Sequence, residues 1–218
     1  MLRQKIVELK ESLISQANTV EKMIEKSIKG LIDKNGDLLK EVLEVDEKLV
    51  NTLELKIDET CTNLIALYHP EAKDLRTVLM ISKMTSDLER IGDCAVNISE
   101  SALYLIDKPQ VKPYIDLPRM ADEAIKMVKD SITSFINENV ELAKNVCERD
   151  NIVDDLRDQI LRELITYMFS DPSTIERSLQ LLRIANNLEK VGDISTNISE
   201  ETIYMAKGKV IKHYQEQV

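Results

Sequence analysis

Leu88-Glu89-Arg90-Ile91-Gly92-Asp93, followed by Asn97-Ile98-Ser99-Glu100, returns a hundred positions later as Leu188-Glu189-Lys190-Val191-Gly192-Asp193 and Asn197-Ile198-Ser199-Glu200. In each copy Glu, Asp and Asn stand at i, i+4 and i+8, which at ~100° per residue places them within roughly 80° of one helix face. The Glu at i+11 falls inside the same stripe. Oxygen side chains stacked in this way suit a hard cation, and two copies suggest two related sites. The competing reading is the solvated face of an ordinary amphipathic helix. Two details favour the first reading. Gly92 and Gly192 interrupt strongly helical patterns, where Gly costs about 1 kcal/mol relative to Ala and calls for a reason such as the close approach of another helix. The intervening Cys94-Ala95-Val96 and Ile194-Ser195-Thr196 differ between the copies, whereas the oxygen ligands and the Gly do not.

The stripe has an apolar counterpart. Met84, Leu88, Ile91, Ala95, Ile98, Ala102 and Leu105 follow 4,3 spacing, and Ile184, Leu188, Val191, Ser195, Ile198 and Thr202 repeat it with more polar residues near the end. That seam is expected inside a bundle, which leaves Glu89, Asp93, Asn97 and Glu100 on the bundle surface.

Turn residues divide the rest of the chain. Lys34-Asn35-Gly36-Asp37 reads as a turn, Asn137-Glu138-Asn139 as a break, and His69-Pro70 and Asp171-Pro172 as helix starts. Six helices result, at roughly 3–33, 38–68, 71–107, 117–138, 140–170 and 173–207. Pro109, Pro113 and Pro118 cluster between the third and fourth helices and mark the middle of the chain. The expected architecture is all-α: two tandem, pseudo-symmetric three-helix bundles at 1–108 and 119–218, joined by a Pro-rich junction at 109–118.

Composition supports this class. Of 218 residues 43% are hydrophobic and only 4% aromatic, with no Trp, so the core must be Leu, Ile, Val and Met packed between helices. A net charge of −10 opposes nucleic acid and anionic membrane surfaces as partners, and any bound anion would need a bridging cation. Cys61, Cys94 and Cys147 make neither a zinc spacing nor a disulfide framework, which favours a reducing cytosol. No stretch approaches the ~20 apolar residues of a membrane span.

One helix offers too few ligands for a cation that takes six or more, so each site needs a second acidic stripe. Asp150, Asp154 and Asp158 supply one in the second half at i, i+4, i+8. The first half has Glu47 and Asn51 at i, i+4, with Glu54 and Asp58 near the same face and Asp46 adjacent. These residues, together with the Asp74-Leu75-Arg76 opening of the third helix and Thr166-Tyr167-Met168 with Asp171-Pro172 before the last, resemble the PhoU family of phosphate-signalling regulators nearly end to end.

The resemblance implies multinuclear metal sites on carboxylates. Iron is the first expectation, and zinc, magnesium or manganese are the alternatives. Carried over residue by residue, Glu89, Asp93, Glu47 and Asn51 form the first site and Glu189, Asp193, Asp150 and Asp154 the second. Where the family pattern has Asp, Asn51 offers a neutral carbonyl, so weaker binding is expected at the first site. Asn97 and Asn197 are either ligands or props for ligand rotamers. The resemblance also implies a cytoplasmic adaptor, peripheral at the inner face of the membrane through its protein partners. It would couple a phosphate ABC transporter to a sensor histidine kinase and keep the phosphate-starvation response off. A homodimer is the expected state.

No catalysis is expected. Carboxylate-held metals can hydrolyse phosphoesters, but the sequence offers no general acid or base to accompany them. His69 reads as a helix-cap residue and His213 as an exposed tail residue; neither follows an acidic residue by three positions, as di-iron Glu-x-x-His pairs require. The alternative function is a helical protein-interaction bundle with no functional metal.

Overall fold

A computed structural model describes residues 1–207 of the chain. His213 lies outside the described residues. Six long helices follow one another, with no strand among the described residues. α1 is Leu2–Ile32. α2 is a continuous rod made of Gly36–Glu41, a π-helical turn Val42–Asp46 and Glu47–Tyr68. α3 is Ala72–Ile106, α4 is Asp116–Ile136 and α5 is Val140–Ser170. A short 3₁₀ turn, Pro172–Thr174, leads into α6, Ile175–Lys207.

The expected breaks are where the caps are. The Asn35 side chain accepts hydrogen bonds from the backbone N–H groups of Asp37 and Leu38 at 3.1 and 3.3 Å, and Asn139 caps α5 by accepting from Leu142 at 3.1 Å. Each satisfies donors that an uncapped helix start leaves orphaned. Asp171 accepts from the N–H of Ser173 at 3.0 Å, with Pro172 at the first helical position as expected. His69-Pro70 behaves differently. His69 ends α2 in the left-handed conformation (φ 46°, ψ 54°), and α3 begins two residues beyond Pro70. The dipeptide therefore stops one helix rather than starting the next, because the left-handed turn at His69 closes α2 and Pro cannot extend it.

Within each half three helices enclose an apolar centre, and the expected seam is its spine: Met84, Leu88, Ile91, Ala95, Ile98, Ala102 and Leu105 are buried, as are Ile184, Leu188, Val191, Ser195, Ile198 and Thr202. The two centres are continuous. α3 and α6 run antiparallel against each other, Lys83 near the start of α3 pairing with Glu201 near the end of α6. At the other end Arg183 pairs with Glu100 at 2.9 Å and the Tyr104 hydroxyl donates to Glu176 at 2.7 Å. α1 also packs on α4, so one apolar cluster runs from Ile6 in the first half to Ile198 in the second.

The junction is anchored. Lys112, 7% exposed, pairs with Asp116 at 3.5 Å and with Glu163 of α5, and Arg177 donates to the Pro109 carbonyl at 2.7 Å. Pro118 falls in the first turn of α4, where its missing N–H removes a donor that has no intrahelical partner.

Candidate metal sites

Both helical glycines mark a close helix approach. A Cβ on Gly92 would stand 3.3 Å from the Val50 side chain of α2; one on Gly192 would stand 3.1 Å from Asp150 Oδ1 and 3.6 Å from Val153 of α5. These contacts fix the register of the halves independently of any alignment. Val50 corresponds to Val153, and therefore Glu47 to Asp150, Asn51 to Asp154 and Glu54 to Arg157. Twelve positions separate the cap Asn35 from Glu47, but eleven separate Asn139 from Asp150. The π turn at Val42–Asp46 absorbs the extra residue, since one wide turn takes up an insertion without breaking the rod. Glu47 thus reaches the place that Asp150 reaches with no such turn.

In the second half, Asp150 and Asp154 of α5 face Glu189 and Asp193 of α6. Asp150 is half-buried, and burial first, then the charges of Asp154, Asp193 and Glu189, push its carboxyl from 3.8 up to about 6. Burial and Asp154 raise Asp193. Glu189 is raised by burial and then by Asp193, while Arg157 opposes the shift. Arg157 pairs with Asp158 at 2.7 Å and donates to Asn186 at 3.2 Å.

In the first half, Glu89 is raised by burial and then by Asp93, Glu54 and Glu47, while Arg90 opposes the shift. Asn51 and Asp93 are exposed. Three other candidates are committed elsewhere. Asp46 is buried against Lys26 at 2.7 Å, Asp58 accepts from the Ser82 hydroxyl at 2.6 Å, and Glu100 is drawn to Arg183. Asn97 accepts from Arg183 at 2.7 Å and donates back to the Asp93 carbonyl at 2.9 Å, so it turns to the interface between the halves and not to the carboxylates.

The donor chemistry of both sets suits a hard cation, since every candidate ligand is an oxygen and all but Asn51 are carboxylates. Among the described residues, no three His, Cys, Asp or Glu side chains converge into a coordination sphere. A cation would have to draw these exposed and half-exposed side chains inward. Beside the second set lies a groove of ≈ 680 Å³ between α5 and α6, lined by Asp150, Asp193 and Lys190 and also by Arg90 of α3. The repeated basic positions were legible in the sequence, but their meeting in one groove was not. Arg157 was missed altogether, since it lies within an acidic run and its effect on Glu189 crosses between helices.

Fold and surface together define a tandem helical-bundle scaffold that displays a carboxylate set on each half. The PhoU domain matches residues 13–102 and again 117–202. The chain belongs to the PhoU family. It is 41% identical over 212 residues to the phosphate-specific transport system accessory protein PhoU homolog of Aquifex aeolicus, covering 97% of this chain and 96% of that one. It is 34% identical over 205 residues to the accessory protein PhoU of Escherichia coli, covering 94% of this chain and 85% of the relative. The crystal structure of PhoU from Pseudomonas aeruginosa superposes with a TM-score of 0.91 at 32% identity, over 96% of this chain and all of that one. That of the phosphate transport system regulatory protein PhoU from Streptococcus pneumoniae gives 0.88 at 25%, over 97% of this chain and all of that one. No helix among the described residues is long and apolar enough to cross a membrane.

Proposed function

We propose that this chain is a metal-binding cytoplasmic adaptor that restrains phosphate uptake and phosphate-starvation signalling by coupling a phosphate ABC transporter to a sensor histidine kinase. The observation that carries the reading is the matched pair of oxygen-donor sets, held at one register in both halves, in a family whose relatives are named for phosphate-specific transport. Glu189, Asp193, Asp150 and Asp154 would hold metal in the second half, and Glu89, Asp93, Glu47 and Asn51 in the first. Iron is the first expectation, with zinc, magnesium and manganese as alternatives. The bound cation neutralises carboxylates that otherwise repel. The chain's part is to present them on rigid helices, so that metal occupancy changes the charge of a surface without changing the fold. The relatives' names describe accessory and regulatory proteins, consistent with a role other than catalysis. A homodimer belongs to the same proposal, and light scattering at micromolar concentration tests it.

Two measurements decide the reading. Elemental analysis of protein purified without chelator should find metal, and joint replacement of Glu89, Asp93, Glu189 and Asp193 by Ala should remove it while leaving a helical protein. In cells grown in rich phosphate, that variant should fail to keep starvation genes off. Normal repression by the metal-free variant would leave an interaction bundle without functional metal as the better reading.

A further inference from the structure

The seam between α5 and α6 changes character along its length. Arg157 donates to Asn186 at 3.2 Å and Gly192 packs on Asp150 and Val153, which fixes the antiparallel register of the two helices. Counted turn by turn from Arg157 toward the Asp171-Pro172 corner, Leu161 stands level with Leu182, Ile165 with Leu179 and Phe169 with Ile175. In the other direction Asp154 stands level with Glu189. On α5, Asp154, Asp158, Ile165 and Phe169 fall within about 60° of one face; on α6, Ile175, Leu179, Glu189 and Asp193 fall within about 80°. Each face is acidic at one end and apolar at the other, and antiparallel packing sets acidic beside acidic and apolar beside apolar. Ile165, Ile175 and Leu179 are exposed, and Phe169 is 87% exposed, whereas the other Phe of the chain, Phe135, is fully buried. Large apolar side chains exposed side by side mark a surface that meets something.

The first half lacks this apolar stretch. At the register of the two halves, Asp58, Thr62 and Ala66 of α2 stand where Leu161, Ile165 and Phe169 do, and Ser82 of α3 stands where Leu182 does. The Ser82 hydroxyl donates to Asp58 at 2.6 Å and closes that level with a hydrogen bond. A three-helix bundle of this kind therefore forms without the apolar residues, which points to a use for them other than folding.

We infer that the α5–α6 seam is a docking groove for an amphipathic helix of a partner protein, apolar over its first two turns and rich in Lys and Arg over the next two. A third helix laid along two antiparallel ones sets its apolar side chains between their ridges. Phe169 stands fifteen positions beyond Asp154, about 22 Å along the helix, so a partner segment of about 15 residues covers the seam. Charge decides the chemistry of the second end. Asp154, Asp158 and Glu189 meet one basic group, Arg157, which already pairs with Asp158 at 2.7 Å. Lys and Arg are attracted there, while an acidic segment or an anionic lipid surface is repelled. A second copy of the chain fits poorly, since its own seam would lie acidic against acidic in one direction and acidic against apolar in the other. This docking needs the protein partner that the adaptor reading above supplies, and no metal.

The test uses the full chain in chelator and three fluorescein-labelled helical peptides of about 18 residues. The first carries Leu and Phe on one face of its first half and Lys on the same face of its second half. The second has Glu in place of each Lys, and the third has the composition of the first with the face scrambled. Fluorescence anisotropy should show the first peptide binding and the other two at least about tenfold weaker. Ile165→Thr with Phe169→Ala, the residue types that the first half carries at those places, should weaken the first peptide at least about tenfold with circular dichroism unchanged. Asp154→Asn with Asp158→Asn should weaken it about threefold and flatten its salt dependence. Leu67→Ala, at an exposed apolar residue of the first half, should change nothing. A first peptide that does not bind, that binds the Ile165→Thr, Phe169→Ala variant equally well, or that is matched by its Glu or scrambled counterpart overturns the inference. Light scattering of the same samples checks the other occupant: self-association abolished by Ile165→Thr with Phe169→Ala assigns the seam to a second copy and overturns it too. None of these outcomes alters the metal content or the repression by which the adaptor reading is judged.

Discussion

The two halves reach the same surface by different means. The first half needs a π turn to bring Glu47 to its place, presents Asn51 where the second has Asp154, and sets Glu54 where the second has Arg157. The charges that act on each central Glu agree with the difference at Asn51. Glu47, Glu54, Glu89 and Asp93 give the first set four negative charges, less one for Arg90, whereas Asp150, Asp154, Asp158, Glu189 and Asp193 give the second five, less one for Arg157. Each set therefore has its own counter-cation, and the second keeps one negative charge more. Duplicated sites can keep their register while exchanging the residues that surround it.

The largest effect to look for is metal-dependent stability, because only it can show the sets acting as sites. Metal that binds the folded chain alone should stabilise it by about 2.7 kcal/mol at a hundredfold excess over its dissociation constant, a rise of roughly 5–10 °C in Tm for a chain of this size. Glu189→Gln with Asp193→Asn should remove the second half's share of that rise. If chelator and added iron, manganese or magnesium all leave Tm unmoved, neither half is a metal site.

Asp150 gives the next effect, and its sign is opposite. Its carboxyl titrates near 6 in the folded protein against 3.8 ordinarily. The folded state therefore binds this proton more tightly, so metal-free stability from this group is greatest below pH 4 and declines as pH rises to 6. Asp150→Asn should raise the metal-free stability at pH 7 by about 1 kcal/mol, after discounting for the group's half-exposed position, which lifts Tm by about 2–4 °C. The same variant should lose metal at the second site. A Tm that falls on this change would show that Asp150 is already compensated.

Smaller still is the exchange between Glu54 and Arg157. Arg157→Ala should tighten metal at the second site and Glu54→Gln should weaken it at the first, each by roughly threefold, the effect of unit charges ~6 Å apart in water-like surroundings. Asn51→Asp should tighten the first site by a comparable factor. Isothermal titration of the three variants reads this directly, and affinities unchanged in all three would mean that the flanking charges do not reach the metal. The least effect is expected from Arg183→Ala, which removes an exposed pair with Glu100; thermal denaturation should shift by less than about 1 kcal/mol. A larger loss would show that the halves depend on this contact to stay together.

Much of this was legible in the sequence because helices write their faces at fixed spacing. The seam from Met84 to Leu105, its copy from Ile184 to Thr202, and the caps at Asn35, Asn139 and Asp171 are all local consequences of period and turn chemistry. His69-Pro70 was misplaced because Pro near a helix boundary fits either side of it, and the left-handed turn at His69 is not written in the residue type. The spacing of Asp46, Asp58 and Glu100 likewise could not reveal that Lys26, Ser82 and Arg183 would claim them.

The sequence by itself determined the six helices, the duplication and which side chains share a face, since these follow from distances of three to eleven residues along one chain. Only the tertiary structure decided that the two bundles share one core, that Arg157 answers Glu54, and that Arg90 and Lys190 open on the same groove. The shared core and the groove join residues some hundred positions apart through the antiparallel packing of α3 on α6, and the place of Arg157 follows from the contact of Gly192 with Val153. They depend on which ridge meets which groove, a choice made by packing and not by period.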